Sequence, residues 1–160
     1  GSTGNGRRRA AVVKSKLLVI NGPNLNRLGK RDNSLYGSLS LKDIEAGLHE
    51  SFPRTELTFF QSNHEGALID RIQKAAEDGT RGIVINPGAY GHTSIALRDA
   101  FLDVGLPFIE VHISNVYKRE EFRRKSLLSD IASGVIVGLG PAGYETAVTA
   151  LNRLLRQQDN

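Results

Sequence analysis

The amino-acid sequence predicts an α/β fold in which helices cover both faces of a five-stranded parallel sheet. Five short, almost wholly apolar runs occur along the chain, and segments with helical spacing of apolar residues separate most of them. Strands without polar alternation are typical of parallel sheets that are buried on both faces. Gly, Pro or Asn closes most of these runs and helical segments, as expected where elements end. Because crossovers between parallel strands are right-handed, the helices divide between two layers, which makes the sheet doubly wound.

The first part of the chain supplies two of the strands and the helix between them. Residues 17–20 form the first apolar run. Ser40 and Asp43 resemble a capping box, and apolar residues follow at helical spacing until Pro53 ends the helix. Residues 57–60 form the second apolar run.

The rest of the chain continues the alternation of helix and strand. A helix with apolar residues at helical spacing follows the second strand and ends at Gly79, and another begins at Thr93 or Ser94 and runs through Val104. The remaining predicted elements are strands at 82–85, 108–111 and 135–137 and a last helix at about 142–155. The pattern therefore predicts a flavodoxin-like sheet without internal repeats.

Composition and charge narrow the classes of protein that are possible. The chain has 160 residues and no Cys, so it has no disulfide or thiolate chemistry, and a cytoplasmic location fits this. No stretch approaches the roughly 20 apolar residues of a membrane span, so no membrane partner is expected. Five of the 21 Lys and Arg lie in residues 1–16, and none of the 17 Asp and Glu does.

The high isoelectric point is therefore a property of the first residues and not of the whole chain. We expect residues 1–16 to be a disordered basic tail, in part an expression scar, because they begin Gly-Ser and lack an initiator Met. Residues 17–160 are expected to be a single catalytic domain. A nucleic-acid or membrane role for the Arg run is the alternative, and it predicts that removing the tail abolishes function.

Polar residues cluster where four of the predicted strands end. In doubly wound sheets ligands bind outside the carboxyl ends of the strands, at the point where the strand order reverses. Single Asn or Ser residues at strand ends are ordinary turn formers, but four polar strand ends together indicate a shared site. The residues concerned are Asn21, Asn24, Gln61, Ser62, Asn63, His64, Glu65, Asn86, Tyr90, His92, Glu110, His112, Ser114 and Asn115.

Glu110 and His112 are the pair in this set with the clearest chemistry. They are two residues apart on a predicted strand and so share a face. A carboxylate that orients an imidazole makes the histidine a general-acid candidate, whereas the alternative is a hydrogen-bonded histidine at a strand end. His64, His92 and His112 could in principle bind a metal, but their spacing matches no ligand motif.

A long polar loop after the first strand carries Arg31 and Tyr36. Loops of this length in compact domains are uncommon and often act as lids. Nearby cations favour the ionised form of a phenol, so Tyr36 is a candidate base. After the fourth strand, the backbone amides near Ser114 could hold a carboxylate, with help from Arg123, although the charged stretch 118–125 by itself is typical of a solvated turn.

The segment 138–143 matches the dinucleotide-binding fingerprint GxGxxG. That fingerprint belongs to the first strand of a βαβ unit, whereas this segment precedes the last helix. We therefore interpret its glycines as forming a tight turn from strand to helix, with Pro141 at the start of the helix.

Taken together, these blocks resemble the type II 3-dehydroquinate dehydratases. The resemblance covers about residues 17–155 and rests on several blocks in family order. They are NGPNLNRLG (21–29), Tyr36-Gly37, FQSNHEG (60–66), INPGAYGHTSIALRD (85–99), IEVHISN (109–115), EEFRRKS (120–126) and GVIVGLGPAGY (134–144).

The resemblance implies a lyase that converts 3-dehydroquinate to 3-dehydroshikimate, in the shikimate pathway or in quinate breakdown. It implies no cofactor and no metal, and an assembly of trimers into a homododecamer. The main competing hypothesis is a non-catalytic flavodoxin-like binder of FMN or a small anion. An FMN site favours a hydroxyl-rich phosphate loop after the first strand, and this chain has Pro23 and two Asn there instead.

The resemblance also implies a role for each matching residue. Tyr36 matches the base, Arg31 the arginine beside it, and Asn24 the residue that helps to stabilise the enolate through a water. His112 matches the general acid and Glu110 its supporting carboxylate. The residues that match substrate contacts are Asn86, His92, Arg123 and the backbone amides of Ile113 and Ser114, with Asp99 contributed across the trimer interface.

Overall fold

The computed structural model describes residues 14–30 and 38–160. The predicted roles of Arg31 and Tyr36 therefore lie outside the described residues. Five strands form one sheet in the order β2-β1-β3-β4-β5, and every neighbouring pair is parallel. The predicted flavodoxin-like α/β fold is confirmed.

The strands are β1 (Lys16–Asn21), β2 (Glu56–Gln61), β3 (Gly82–Asn86), β4 (Phe108–His112) and β5 (Gly134–Val137). The helices are α1 (Leu41–Ser51), α2 (Glu65–Ala75), α3 (Tyr90–Thr93), α4 (Ile95–Val104) and α5 (Ala142–Gln158). Short 3-10 turns occupy Leu25–Arg27, Val116–Lys118 and Glu121–Arg124. None of the helices in the described ranges is long and apolar enough to cross a bilayer.

Most predicted boundaries lie within a few residues of the observed ones. The side chain of Ser40 caps α1 in the predicted capping box with Asp43, and Ser94 caps α4 through the amide of Leu97. Strand β1 begins at Lys16, which the sequence analysis had placed in the basic tail. Lys16 is held there because its Nζ donates to the carbonyl of Asp78 at 2.9 Å.

The core has two layers, one on each face of the sheet. Alternate residues of β1 point to opposite faces, so Leu17 and Val19 pack with α1 and α5, whereas Leu18 and Ile20 pack with α2 and α4. All four side chains are at most 1% exposed. The continuous apolar run of β1 thus serves both layers, as its lack of alternation predicts.

The strand order reverses between β1 and β3, which pair with each other while their crossovers go to opposite edges of the sheet. Their carboxyl ends are tightly joined, since the amide of Gly22 donates to the carbonyl of Asn86 at 2.8 Å. A Cβ on Gly22 would lie 2.3 Å from the carbonyl oxygen of Pro87, so this approach requires glycine. The crevice beyond this junction is the place where such sheets bind ligands.

Candidate active site

A cleft of about 790 Å³ lies at the carboxyl ends of β1, β3 and β4. Its walls come from the turn after β1, the loop after β3, the end of β4 and the 3-10 turns that follow β4. The described lining residues include Asn24, Arg27, Asn86, His92, His112, Ile113, Ser114, Arg119 and Arg123. Seven of these nine were predicted as site residues, and no lysine lines the cleft among the described residues.

Asn24 lies at the start of the 3-10 turn after β1 and has the left-handed backbone conformation, with φ 69°. It is the only described residue other than glycine with positive φ, a conformation that Asn tolerates better than most residues. The backbone N–H of Asn24 donates to Asn63 Oδ1 at 2.9 Å, and Gln61 Nε2 donates to the same oxygen at 3.2 Å. The conspicuous polar segment after β2 therefore supports Asn24, and its residues do not line the cleft themselves.

Asn86 ends β3 and is held by a buried network. Its Nδ2 donates to the hydroxyl of Tyr144 at 3.0 Å, that hydroxyl donates to Asn21 Oδ1 at 2.5 Å, and Asn86 Oδ1 accepts from the amide of Gly88 at 3.2 Å. Tyr144 is completely buried, and burial raises the pKa of its phenol, an effect that the Asn86 hydrogen bond only partly opposes. Tyr144 is therefore a neutral structural group that orients Asn86.

Glu110 and His112 form a buried pair on β4, as predicted. Glu110 is 0% exposed and His112 7% exposed, and His112 Nε2 is hydrogen-bonded to Glu110 Oε2. Burial opposes ionisation of Glu110, but the hydrogen bond and charge of His112, together with the hydroxyls of Ser129 and Ser126, outweigh it. The pKa of Glu110 consequently lies below its usual value.

The tautomer of His112 follows from this pairing. An ionised carboxylate can only accept, so Nε2 carries the proton and Nδ1 is the nitrogen that remains for a ligand. Nδ1 makes no hydrogen bond within the described part of the chain. The carboxylate thereby fixes the ring and its tautomer, which orients Nδ1 as a general acid requires.

His92 lies beside His112, with ring centroids 6.2 Å apart and the planes inclined by 16°. Its Nδ1 lies 2.7 Å from the carbonyl oxygen of Lys125. A carbonyl only accepts, so Nδ1 is the donor and Nε2 is left to interact with a ligand. Gly91, the residue before His92, lets the chain pass close to Pro87, since a Cβ there would lie 2.9 Å from the Pro87 ring.

The part of the cleft formed by the segment after β4 offers groups suited to an anion. Neither the Ile113 nor the Ser114 amide donates to a backbone carbonyl within the described ranges. Arg119 Nη1 lies 3.4 Å from Ser114 Oγ, and Arg123 pairs through Nε with Glu120. Two arginines and two free amides at one wall make a carboxylate the natural ligand there.

Of the predicted site residues that the structure describes, two do not line this cleft, namely Glu110, which is buried and reaches it only through its hydrogen bond to His112, and Asp99. Asp99 is an exposed residue of α4, and its helix presents the exposed Ile95 and Leu102 on either side of it. Sequence reasoning also missed several groups that shape the site, namely Arg119, Ser126, Ser129 and Tyr144. Of these, Arg119 was the one that the sequence could have indicated, since it lies in the charged stretch 118–125 from which Arg123 was predicted.

The predicted strand-to-helix turn at 138–143 has a structural role. Gly138 and Gly140 have positive φ and donate to the carbonyls of His112 and Ile113. A Cβ on Gly143 would lie 3.2 Å from Val111, so the glycine lets α5 approach the sheet. The turn therefore buttresses the end of β4. No group of three His, Cys, Asp or Glu residues is placed to hold a metal ion in the described ranges.

Comparisons with known proteins agree on one family. The model of the family described as dehydroquinase class II matches residues 15–152. The 3-dehydroquinate dehydratase of Polynucleobacter necessarius subsp. necessarius is 57% identical over 139 residues, which are 86% of this chain and 93% of that protein. Catabolic 3-dehydroquinase 1 of Neosartorya fischeri is 58% identical over 140 residues, or 85% of this chain and 93% of the relative.

The fold is shared as well. The crystal structure of the type II dehydroquinase from Butyrivibrio crossotus superposes with a TM-score of 0.85 at 50% sequence identity. The match covers 87% of this chain and 98% of that one.

Proposed function

The chain belongs to the class II dehydroquinase family and dehydrates 3-dehydroquinate to 3-dehydroshikimate, and we propose that it does so through a Tyr36 phenolate, an enolate and acid catalysis by His112. The observation that carries this mechanism is the buried Glu110–His112 pair, whose histidine lines a cleft that also holds groups suited to an anion. The proton at C2 is next to the C3 ketone, so its removal gives an enolate. Loss of the C1 hydroxyl as water then completes the reaction.

The assignment of Tyr36 as the base is supported by the state of the other tyrosines. The hydroxyl of Tyr144 is buried in the network with Asn21, and the hydroxyl of Tyr90 donates to the Asn63 carbonyl at 2.7 Å. Tyr117 is 60% exposed and, like these two, does not line the cleft. In the proposal Arg31, five residues before Tyr36 in the sequence, favours the phenolate form.

We assign Asn24 to the enolate. An amide that holds a water against the developing oxyanion stabilises charge without a full positive charge, provided that the amide is fixed in advance. The hydrogen bond from the backbone N–H of Asn24 to Asn63 Oδ1 and the left-handed turn fix the backbone that carries this side-chain amide. Because the described cleft wall has no lysine, its groups favour this enolate route over a Schiff base.

His112 protonates the leaving hydroxyl at C1. His112 lines the cleft with Nε2 paired to Glu110, which leaves Nδ1 for the substrate, and Glu110 supports the imidazolium that must give up the proton. The substrate carboxylate is received by the Ile113 and Ser114 amides with Arg123, and the ring hydroxyls by Asn86 and His92. Arg119, which lies beside Ser114, adds positive charge at the same wall.

Turnover of 3-dehydroquinate by the native chain and by Tyr36→Phe tests the mechanism. The product is an enone, so its absorbance follows the reaction. We expect kcat to fall by at least about a thousandfold in the variant, as when a reacting group is removed, with the fold and oligomer unchanged. Tyr117→Phe is the matched control and should leave kcat unaltered. Turnover that survives in Tyr36→Phe would overturn the phenolate mechanism but not the reaction.

We further propose that residues 17–160 act as one catalytic domain within trimers assembled into a homododecamer, in the cytoplasm. The position of Asp99 supports the trimer, because this predicted substrate-site residue lies on an exposed, partly apolar helix face outside its own chain's cleft. A neighbouring subunit could bring it into a cleft. Light scattering on the purified protein tests the assembly, and Ile95→Glu on the same face should weaken it.

A further inference from the structure

We propose that Ser126 and Ser129 are positioning residues of the active site, which hold Glu110 as a carboxylate so that the proton between Glu110 and His112 stays on the histidine. The inference rests on the proposed role of His112 as the general acid. It concerns the turn at residues 125–129, directly after the 3-10 segment Glu121–Arg124, to which the proposed dehydration mechanism assigns no role.

The hydroxyl of Ser126 has a fixed orientation. Its Oγ accepts from the amides of Leu128 at 3.1 Å and Ser129 at 3.2 Å, so both lone pairs are occupied. The single hydroxyl proton is then free to point only towards Glu110 Oε1, which lies 3.0 Å away. The hydroxyl of Ser126 can therefore only donate to the Glu110 carboxylate and cannot accept from it.

Ser129 makes the second contact to the same oxygen. Its hydroxyl donates to Glu110 Oε1 at 2.8 Å. His112 occupies the other oxygen, Oε2, so the completely buried carboxylate has partners on both sides. An ionised carboxylate in such a place is tolerated only when hydrogen bonds replace the lost water.

The turn that carries these serines is firmly attached to the rest of the site. Leu128 is 0% exposed in the core, and the amide of Leu127 donates to the Gly91 carbonyl at 2.8 Å. Arg98 of α4 donates to the Leu127 carbonyl at 2.9 Å and forms a bidentate pair with Asp130. Donors held in this way are preorganised and do not rearrange during the reaction.

The chemical consequence concerns where one proton resides. When the pair holds two protons, it can be a carboxylate with an imidazolium or a carboxylic acid with a neutral imidazole. Hydrogen bonds donated to Glu110 stabilise the first form, and only the imidazolium is a strong enough acid to protonate the leaving hydroxyl. Without the two serine hydroxyls, the population of the form with a carboxylic acid and a neutral imidazole rises, and His112 becomes a weaker acid.

The other charged or titratable groups around the pair are few. Among the described residues they are His92 of α3, whose ring stacks beside His112, and Arg119 and Arg123, which line the same cleft. Asp130 lies on the outer side of the turn and is paired with Arg98. None of these side chains hydrogen-bonds to Glu110 in the described part of the chain, whereas Ser126 and Ser129 do.

The decisive variant is Ser129→Ala, because Ser129 uses its hydroxyl only for Glu110, whereas Ser126 also builds the turn. We expect kcat to fall about tenfold, which corresponds to about 1.4 kcal/mol, with KM changed by less than about threefold since no substrate contact is removed. We also expect the basic limb of the kcat–pH profile to move to higher pH. When the carboxylate loses a hydrogen-bond donor, the Glu110–His112 pair with two protons becomes more stable relative to the pair with one proton. The basic limb reports the loss of a proton from the pair as a whole, so it moves to higher pH.

Ser129→Thr keeps a hydroxyl and should restore both kcat and the pH profile. Ser133→Ala, an exposed serine without a side-chain hydrogen bond in the structure, is the matched control. A fall in kcat with an unmoved basic limb would assign Ser129 a merely structural role and overturn the inference, as would an unchanged kcat.

Native enzyme and His112→Asn, measured in the same series, separate this result from the proposed function. If His112→Asn retains turnover, the general-acid assignment fails and the inference fails with it. If His112→Asn loses turnover while Ser129→Ala behaves like the native chain in kcat and pH profile, the inference alone fails.

Discussion

Replacing Tyr144 by Phe removes one buried hydroxyl and isolates the network that orients Asn86. The hydroxyl donates to Asn21 at 2.5 Å and accepts from Asn86 at 3.0 Å, and the side chain is 0% exposed. Phe fills almost the same volume, so no cavity forms. The variant instead leaves one acceptor and one donor buried without their partner.

The expected loss of stability follows from these two groups. Leaving a buried polar group unsatisfied costs about 1–3 kcal/mol. Asn86 keeps its second hydrogen bond, from the Gly88 amide to Oδ1, which limits movement of the amide. We therefore expect the free energy of unfolding to fall by about 2–4 kcal/mol, a large share of the roughly 5–15 kcal/mol of a typical domain.

Urea unfolding at pH 7 and a fixed protein concentration measures this loss, with Tyr117→Phe as the exposed control. The m-value should be the same in both variants, because the surface exposed on unfolding does not change. A loss below about 0.5 kcal/mol, the range of ordinary surface changes, would refute the reasoning that the network is closed by this hydroxyl.

Tyr144 also makes the stability of the folded protein decrease at alkaline pH. Burial raises the folded-state pKa of Tyr144, so the folded state retains a proton that the unfolded state loses above about pH 10. Stability from this group is complete below that pH and declines as the pH rises further. In Tyr144→Phe this part of the alkaline decline should be absent when urea midpoints are compared at pH 9 and above.

Two further predictions concern the acid range and the strand junction. The pKa of Glu110 is lowered in the folded state, so its stabilisation is present above the ordinary glutamate pKa of about 4.3 and is lost as the pH falls through the folded value. Urea midpoints between about pH 3 and 6 should therefore fall less steeply in Glu110→Gln, and an unchanged slope would contradict the ionised carboxylate. Gly22→Ala should destabilise the chain by at least about 2 kcal/mol in thermal or urea unfolding, because its Cβ would lie 2.3 Å from the Pro87 carbonyl oxygen. Gly47→Ala in α1, whose Cβ meets nothing within 4 Å, should instead stabilise by about 0.5–1 kcal/mol, and equal effects in the two variants would show that the close approach at Gly22 is not limiting.

Secondary structure was predictable where local chemistry decides it. The capping box at Ser40 and Asp43 formed as predicted, since cap and helix lie within one turn of the chain. Prediction was least complete in residues 116–131, where the chain forms two 3-10 turns and then a turn held by Ser126. That segment has no apolar periodicity, and its conformation depends on Leu128 entering the core and on Arg98 from a distant helix.

In the candidate site, most of the described residues that line the cleft were predictable from local sequence, and the residues that hold them in place were not. Asn24, Asn86, His92 and His112 were predictable because the ends of parallel strands meet at one edge, and the structure brings all four to one cleft. The support for them was not predictable. Tyr144 reaches Asn21 across 123 positions of sequence, and Ser129 reaches Glu110 across 19.

The sequence by itself determined the order of the elements, the family and most of the described residues that line the cleft, because strand period, capping and strand-end chemistry are local properties. Only the tertiary structure decided which tyrosine is locked in the core, which side chains keep Glu110 ionised and which predicted site residue, Asp99, lies outside its own chain's cleft. The physical reason is that burial and hydrogen-bond partners are set by packing between segments that are distant in sequence, and these determine the charge state of a group.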